Sequence, residues 1–165
     1  ELVDGDHVSV LGEDFSVLAV PGHTLGHIAY YRPGTLFCGD TLFHTGCGRL
    51  FEGTPEQMYH SLARIAALPD ETLAYCAHEY TLANLAFARH LEPEHPGLAD
   101  SERAAKSSRA AGEPTVPMRL GEQKATNPFL RADSPELASI VRQDGSTADD
   151  PVSVFATLRR LKDGF

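Results

Sequence analysis

The chain has 165 residues, of which 42% are hydrophobic and 22% charged, a composition typical of a globular domain. Its formal net charge of −9 argues against nucleic acid or an anionic membrane as a partner, because both are themselves negatively charged. No stretch approaches the roughly 20 apolar residues that a membrane-spanning helix needs, and the first residues are not typical of a signal peptide. The three cysteines have no CxxC spacing, so we expect free thiols and a cytoplasmic location.

The first part of the chain is predicted to alternate short β-strands with loops. One hairpin pairs His7–Leu11 with Phe15–Val20, and a second pairs Ile28–Tyr31 with Thr35–Cys38 across a Pro-Gly turn. A further strand is expected over Thr72–Cys76. The ends of these strands matter because candidate ligand residues follow three of them.

The first helix is predicted to begin after Thr54. Thr54 is the N-cap, Pro55 takes the first helical position, and Gln57 completes a capping box. Its apolar residues recur at helical spacing, so one face should pack on a sheet. Further helices are predicted over about Leu82–His90, Leu98–Ala111, Pro135–Arg142 and Pro151–Lys162, the last capped by Asp149 or Asp150.

After Pro93 the sequence changes from a pattern of short strands and helices to one that predicts polar helices and a proline-containing segment. We expect residues 1–92 to form a partial β/α catalytic domain and residues 93–165 to form a small helical C-terminal domain. Within the second part, Gly112–Arg131 contains three prolines and is predicted to be a loop.

Three short motifs at predicted strand ends carry residues that bind metals. PGHTLGH (21–27) contains His23, FCGDT (37–41) contains Asp40, and CAHEY (76–80) contains His78. Each residue alone also fits an ordinary loop or turn position. Together, and each at a strand end, they favour a metal site, since imidazole and carboxylate suit zinc, iron and manganese.

A carboxylate such as Asp40 can bridge two cations through its two oxygens. Two cations about 3.5–4 Å apart can share a hydroxide that is nucleophilic at neutral pH. We therefore predict a dinuclear metal hydrolase in which this hydroxide is the nucleophile. A thioester is an apt substrate, because a thiolate of pKa about 8.5 leaves without a strong general acid.

Several other polar residues near the motifs have open roles. His27 is interpreted as a structural residue or a second ligand, and His44 as part of a loop. Glu79 either orients a ligand or begins a helix. Cys47 lies close to Asp40, so a catalytic thiol is one interpretation and a buried cysteine the commoner one.

The motifs resemble those of glyoxalase II, the hydroxyacylglutathione hydrolase family of the metallo-β-lactamase-fold superfamily. The resemblance covers the chain from residue 1 to residue 165. The runs that carry it are PGHTLGH, FCGDTLFHTGCGRLFEGTPEQMY, CAHEYTLANLAFARH, GEPTVP, NPFLR and LRRLKDGF. It implies an α/β (α+β) fold: the C-terminal part of an αββα sandwich with a helical domain that closes over glutathione.

The resemblance also assigns roles to individual residues. His23 would ligate the first metal, His78 the second, and Asp40 would bridge them. The implied glutathione contacts are Arg49, Phe51, Tyr80, Arg159 and Lys162. Some family members have Lys and Tyr in place of Arg49 and Phe51, and a phenyl ring offers only apolar contact. Without the resemblance, the cations near the C-terminus would be interpreted as a solvated helix end.

The implied reaction is hydrolysis of S-D-lactoylglutathione to D-lactate and glutathione, in methylglyoxal detoxification. The implied cofactors are two divalent ions, zinc or alternatively iron or manganese, in a protein that is a monomer when complete. The family's THxHxDH motif, which supplies four further ligands, would precede Glu1, so we expect this chain alone to be inactive.

Two alternatives remain. The chain could belong to another hydrolase of the superfamily or to a mononuclear glutathione-persulfide dioxygenase, which the helical ending disfavours. It could also be a non-catalytic, glutathione-binding fragment that needs a separate N-terminal half.

Overall fold

The computed structural model of the chain describes residues 1–143 and 145–165. These residues form eight strands and six helices. The strands are β1 (His7–Val10), β2 (Glu13–Ala19), β3 (Ile28–Arg32), β4 (Thr35–Gly39), β5 (Leu42–Phe43), β6 (Gly46–Cys47), β7 (Leu73–Cys76) and β8 (Met118–Arg119). The helices are α1 (Pro55–Ala66), α2 (Thr81–Leu91), α3 (Pro96–Ala110), α4 (Leu120–Thr126), α5 (Pro135–Gln143) and α6 (Pro151–Gly164).

Six strands form one mixed sheet in the order β1-β2-β3-β4-β7-β8, and β5 pairs with β6 in a small separate hairpin. β4 and β7 are parallel, whereas the other neighbouring pairs of the large sheet are antiparallel. The connection between β4 and β7 contains α1, as a parallel pair requires a long crossover. Because β4 and β7 run in the same direction, the segments that follow them emerge at one edge of the sheet.

The predicted strands and hairpins are confirmed with small changes at their ends. In the first hairpin Val10 pairs with Glu13, so the turn consists of two residues, whereas the sequence predicted a turn over Gly12–Asp14. Leu11 and Gly12 both have positive φ, at 54° and 84°. This is the conformation that matches the twist of two-residue hairpins, and it ends β1 one residue before the predicted end.

The predicted N-cap of α1 is confirmed. The hydroxyl of Thr54 accepts from the backbone N–H of Gln57 at 3.2 Å, and the Gln57 side chain accepts from the Thr54 N–H at 2.9 Å. Met58, Leu62 and Ile65 lie on the buried face of this helix. At α6, the capping residue is Asp150 rather than Asp149.

The prediction of a loop over Gly112–Arg131 is wrong in its second half. β8 adds to the sheet through pairing of Met118 with Ala74, and α4 follows it directly with Leu120 buried. With two residues in β8 and seven in α4, both elements are too short for a periodic pattern of hydrophobic residues to be recognised in the sequence. Their structure depends on pairing with β7, which local sequence does not specify.

One face of the large sheet carries the core. Ala29, Leu36, Cys38 and Ala74 are fully buried there, and α1, α5 and α6 supply residues to the same cluster. β8 and α4 join this packing, so the division of the chain near Pro93 stays a prediction.

The opposite face of the sheet is apolar and partly exposed. Phe37 is 43% exposed and contacts the rings of Phe15 and Tyr75, with centroids 5.7 and 5.1 Å away. Within the described residues, no helix combines the length and the apolarity needed to cross a membrane.

Candidate metal centre

A cavity of about 580 Å³ lies at the sheet edge where β4 and β7 end. It is lined by all the residues for which the sequence predicted a site role: His23, Asp40, Arg49, Phe51, His78, Tyr80, Arg159 and Lys162. The fold therefore brings together side chains that are up to 139 positions apart, from His23 to Lys162. Their individual roles stay predictions.

Asp40 lies between the two candidate histidines. Its Oδ1 is 3.1 Å from Nε2 of His78, and its Oδ2 is 3.9 Å from Nε2 of His23. Each carboxylate oxygen thus faces a different imidazole. The arrangement follows from the sheet: Asp40 comes directly after β4, and His78 comes two residues after the parallel β7.

The orientation of His23 is fixed by the backbone of the loop that carries Arg49. Nδ1 of His23 is 2.9 Å from the Arg49 carbonyl oxygen. Because a carbonyl only accepts, Nδ1 carries a proton, and Nε2 is the ring nitrogen that faces Asp40. The ring also contacts the ring of Phe51, with centroids 4.8 Å apart.

His27 holds the backbone of Asp40 rather than its side chain. The Asp40 N–H donates to Nε2 of His27 at 3.0 Å. Burial lowers the pKa of His27, which agrees with a neutral, accepting imidazole. This geometry favours the structural role predicted for His27 over the role of a second ligand.

Two glycines allow the chain to pack this closely. A Cβ on Gly39, whose φ is 53°, would lie 2.6 Å from Nε2 of His27. A Cβ on Gly48 would lie 1.9 Å from the carbonyl oxygen of Asp40. A larger residue at Gly39 would displace the His27 ring that binds the Asp40 N–H, and one at Gly48 would displace the backbone of Asp40 itself.

His78 is the most exposed of the three candidate ligands, and aromatic rings surround it. Its ring stacks on Tyr80 with centroids 4.9 Å apart, and the ring of Phe43 lies 6.0 Å away. Tyr80 is half exposed, so its hydroxyl is available to a bound molecule.

Arg159 is already bound within the protein. It is only 5% exposed, and its guanidinium donates to the Cys47 carbonyl at 2.9 Å and to Asp163 at 3.0 Å. The same group lies 5.2 Å from the centre of the Phe129 ring. Arg159 therefore joins α6 to β6, whatever contact it makes with a ligand.

The other two cations are more accessible. Lys162 donates to the Ala83 carbonyl at 3.0 Å, and burial lowers its pKa, with nearby arginines acting in the same direction. Arg49 is largely exposed, and its Nε is 3.5 Å from Asp163. Asp163 thus lies between Arg49 and Arg159.

Cys47 is buried against Arg159 and does not resemble a nucleophile. Burial raises the pKa of its thiol to about 11, although Arg159 acts in the opposite direction. Such a thiol is protonated at neutral pH, which favours the interpretation as a buried cysteine.

The cavity also contains residues that the sequence did not single out, namely Phe43, Ala83, Asn84, Asp163 and Phe165. Asp163 lies one residue beyond the predicted end of the last helix, and the structure extends that helix to Gly164, which lets Asp163 pair with Arg159 four positions earlier. No sequence pattern pointed to Asn84, because its amide donates to the His44 carbonyl at 3.1 Å, 40 positions away in the chain.

The donor set suits divalent cations by chemistry and by orientation. His23 and His78 could each hold one cation through Nε2, with Asp40 between them. In the part of the chain that the structure describes, however, no group of three or more His, Cys, Asp or Glu side chains is arranged as a metal-binding cluster. These three side chains are of the kind that divalent metals prefer. If two cations bound here, each would have one histidine and a share of Asp40 as ligands, which is too few for tight binding.

The fold, with its candidate ligand residues at strand ends, points to a class of protein. Residues 1–78 match the family model of the metallo-beta-lactamase superfamily. In structure, the chain is similar to a metallo-beta-lactamase from Staphylococcus aureus (TM-score 0.55, 21% identity, 98% of this chain and 42% of that one). It is also similar to ETHE1 from Myxococcus xanthus (TM-score 0.57, 27% identity, 98% and 59%). Membership of this superfamily implies divalent metal ions as cofactors.

The chain belongs to the hydroxyacylglutathione hydrolase family, because residues 79–165 match the model described as the hydroxyacylglutathione hydrolase C-terminus. Relatives named hydroxyacylglutathione hydrolase are 60% identical in Alkalilimnicola ehrlichii, over 89% of this chain, and 54% identical in Photobacterium profundum, over 98%. The chain spans 58% and 64% of the length of these relatives. The glyoxalase II resemblance inferred from the motifs is thereby confirmed.

Proposed function

We propose that the protein of which this chain forms at least a part is a thioesterase acting on S-2-hydroxyacylglutathione. S-D-lactoylglutathione is the proposed substrate, and D-lactate and glutathione are the products. The family name of the relatives supports the reaction class. The observation that carries the proposal is the Asp40 carboxylate, whose two oxygens face His23 and His78 separately.

Two divalent cations are the proposed cofactors, zinc or alternatively iron or manganese. When bound, they would make water nucleophilic at neutral pH and balance the negative charge that develops on the carbonyl oxygen. His23, Asp40 and His78 would hold them from this chain. The Arg49 carbonyl would fix the His23 tautomer, and His27 would fix the backbone of Asp40.

The substrate is proposed to bind along the cationic side of the cavity. Arg49 and Lys162 would attract the carboxylates of glutathione, since Arg can grip a carboxylate with two N–H groups. Arg159 has N–H groups left after its bonds to Cys47 and Asp163. Tyr80 would add its hydroxyl and Phe51 apolar contact.

The proposed setting is a monomeric protein in the cytoplasm. Its three cysteines are all free, which suits a reducing compartment.

Metal stoichiometry tests the proposal directly. The chain would be exposed to zinc, iron and manganese, and its metal content measured together with hydrolysis of S-D-lactoylglutathione. We expect Asp40→Asn to reduce metal binding and Asp163→Asn, in the same cavity but not between the histidines, to leave it unchanged. Metal binding with no thioester hydrolysis, alone or with a supplied N-terminal segment, would rule out the proposed activity.

A second proposal is that the chain acts as a glutathione-binding fragment that assembles with a separate N-terminal segment. The apolar sheet face with Phe37 exposed supports it. Adding a segment that contains the THxHxDH motif distinguishes the two proposals. Turnover with the added segment supports the thioesterase, and glutathione binding without turnover supports the non-catalytic fragment.

A further inference from the structure

Glu79, directly after the candidate ligand His78, is bound at both carboxylate oxygens by one residue. The backbone N–H of Thr115 donates to Oε2 at 2.7 Å, and the Thr115 hydroxyl donates to Oε1 at 2.6 Å. Both contacts are shorter than the usual neutral hydrogen bond, as expected for an ionised acceptor. We call this pair the Glu79–Thr115 latch.

Thr115 uses each of its remaining polar groups as well. Its hydroxyl oxygen is also 2.6 Å from that of Thr81. The Thr115 carbonyl is 3.2 Å from Nδ1 of His44, which must carry a proton to donate. One residue thus binds three segments at once.

The three segments are those that surround the candidate metal centre. Glu79 follows His78, Thr81 begins α2, and His44 lies in the turn between β5 and β6, four positions after Asp40. Thr115 is 36 positions from Glu79 and 71 from His44, so the latch joins the end of β7 to a loop that follows α3.

The loop that supplies Thr115 is itself held in place. Arg109, at the end of α3, donates to the Glu113 carbonyl at 2.9 Å, and its guanidinium lies 3.9 Å from Glu79. The Thr115 end of the latch is therefore anchored to a helix of 15 residues rather than to a free loop.

We propose that Glu79 and Thr115 are positioning residues that hold His78 in place for metal binding, an inference that rests on the proposed metal centre. His78 is exposed, and its ring packs beside Tyr80 and Phe43. On the side of β7, its segment is bound where the Cys76 thiol donates to the His78 carbonyl at 3.3 Å and the Ala77 N–H donates to the Gly39 carbonyl at 3.0 Å. The latch restrains that segment one residue away. Residues that orient a ligand in this way typically change metal affinity about 10–100-fold when they are lost.

The test compares Thr115→Val, which keeps the backbone N–H and the shape but removes the hydroxyl, with Thr115→Ser, which restores it. Thr126→Val is the matched control, since the Thr126 hydroxyl donates to the Glu122 carbonyl within α4 at 2.8 Å. The measurements are zinc affinity by chelator competition and the imidazole ¹⁵N shifts of His78 and His44 without metal.

We expect Thr115→Val to weaken zinc binding about 10-fold and to shift both imidazole signals, with recovery in Thr115→Ser and no change in Thr126→Val. Unchanged His78 shifts in Thr115→Val would overturn the proposal even if the chain alone binds no zinc. If the variants behave as expected but no thioester is hydrolysed, the positioning role of Glu79 and Thr115 is supported and the proposed thioesterase function is ruled out.

Discussion

Arg159 illustrates how a residue predicted to bind substrate can also be part of the structure. The Cys47 carbonyl has its hydrogen bond from Arg159, and both groups are buried. Removal of the guanidinium takes this hydrogen bond away from a buried carbonyl. A loss of activity in an Arg159 variant would therefore not by itself identify a substrate contact.

We expect Arg159→Met to lower the free energy of unfolding by about 1–3 kcal/mol without any ligand, the cost of leaving a buried polar group unsatisfied. Arg49→Met is the control, because Arg49 is largely exposed and its loss should change stability by no more than about 0.5 kcal/mol. Urea denaturation measures both. Equal stability of the two variants would contradict the anchoring role of Arg159.

His44 makes the stability of the folded chain depend on pH in a predictable direction. Burial lowers the pKa of His44, outweighing the opposite effect of its bond to Thr115. As the pH falls below about 6.5, the unfolded chain takes up a proton at His44 that the folded chain does not. The folded chain is therefore most stable, as far as His44 is concerned, at pH values above the pKa of the unfolded chain. This contribution is lost as the pH falls through the lowered pKa of His44 in the folded chain.

His44→Asn keeps a donor near the position of Nδ1 and removes the titration. We expect the free energy of unfolding to fall less steeply between pH 7 and pH 5 in this variant than in the original chain. His27, whose pKa burial also lowers, is present in both proteins, so the difference reports His44. Parallel pH profiles would show that His44 titrates normally in the folded chain.

At the level of elements, the N-cap of α1 is a local feature that can be tested by itself. Thr54→Ala removes the hydroxyl that accepts from Gln57, and we expect a loss of about 1 kcal/mol. Thr54→Ser keeps the hydroxyl and should keep most of the stability. Thermal unfolding followed by circular dichroism distinguishes them, and an Ala variant as stable as the Ser variant would contradict the capping role.

Elements differ in how much of their structure is local. The cap of α1 and the first hairpin depend on residues within a few positions, and both could be predicted, although the turn lies at Leu11–Gly12 rather than at the expected Gly12–Asp14. β8 and α4 depend on Leu73 and Ala74 of β7, more than 40 positions away, and they were missed. A short segment takes its conformation from its partner, because it has too few residues for a preference of its own.

For the whole molecule, the exposed sheet face is the feature with the clearest physical consequence. Val10, Phe37 and Tyr75 line an apolar surface beside Phe15. Exposed apolar surface of this kind favours binding of dyes or of other apolar surfaces.

Phe37→Thr keeps a strand-forming residue and removes the most exposed ring of this face. We expect weaker fluorescence of the dye ANS and less self-association in sedimentation experiments, with a stability loss of about 1 kcal/mol from the lost ring contacts. Phe51→Thr removes an exposed ring in the cavity instead and serves as the control. An equal fall in dye binding for both variants would contradict the assignment to this face.

The sequence by itself predicted the candidate ligand residues, and it determined the order of the strands along the chain, the main helices and the family. These depend on side-chain identity and on short spacings, which local chemistry reveals. The tertiary structure alone decided that Arg159 binds the Cys47 carbonyl, 112 positions away, and that Thr115 binds Glu79 and His44. Such partners cannot be read from a pattern, because any buried carbonyl or carboxylate could accept those bonds and only the folded chain brings one of them close.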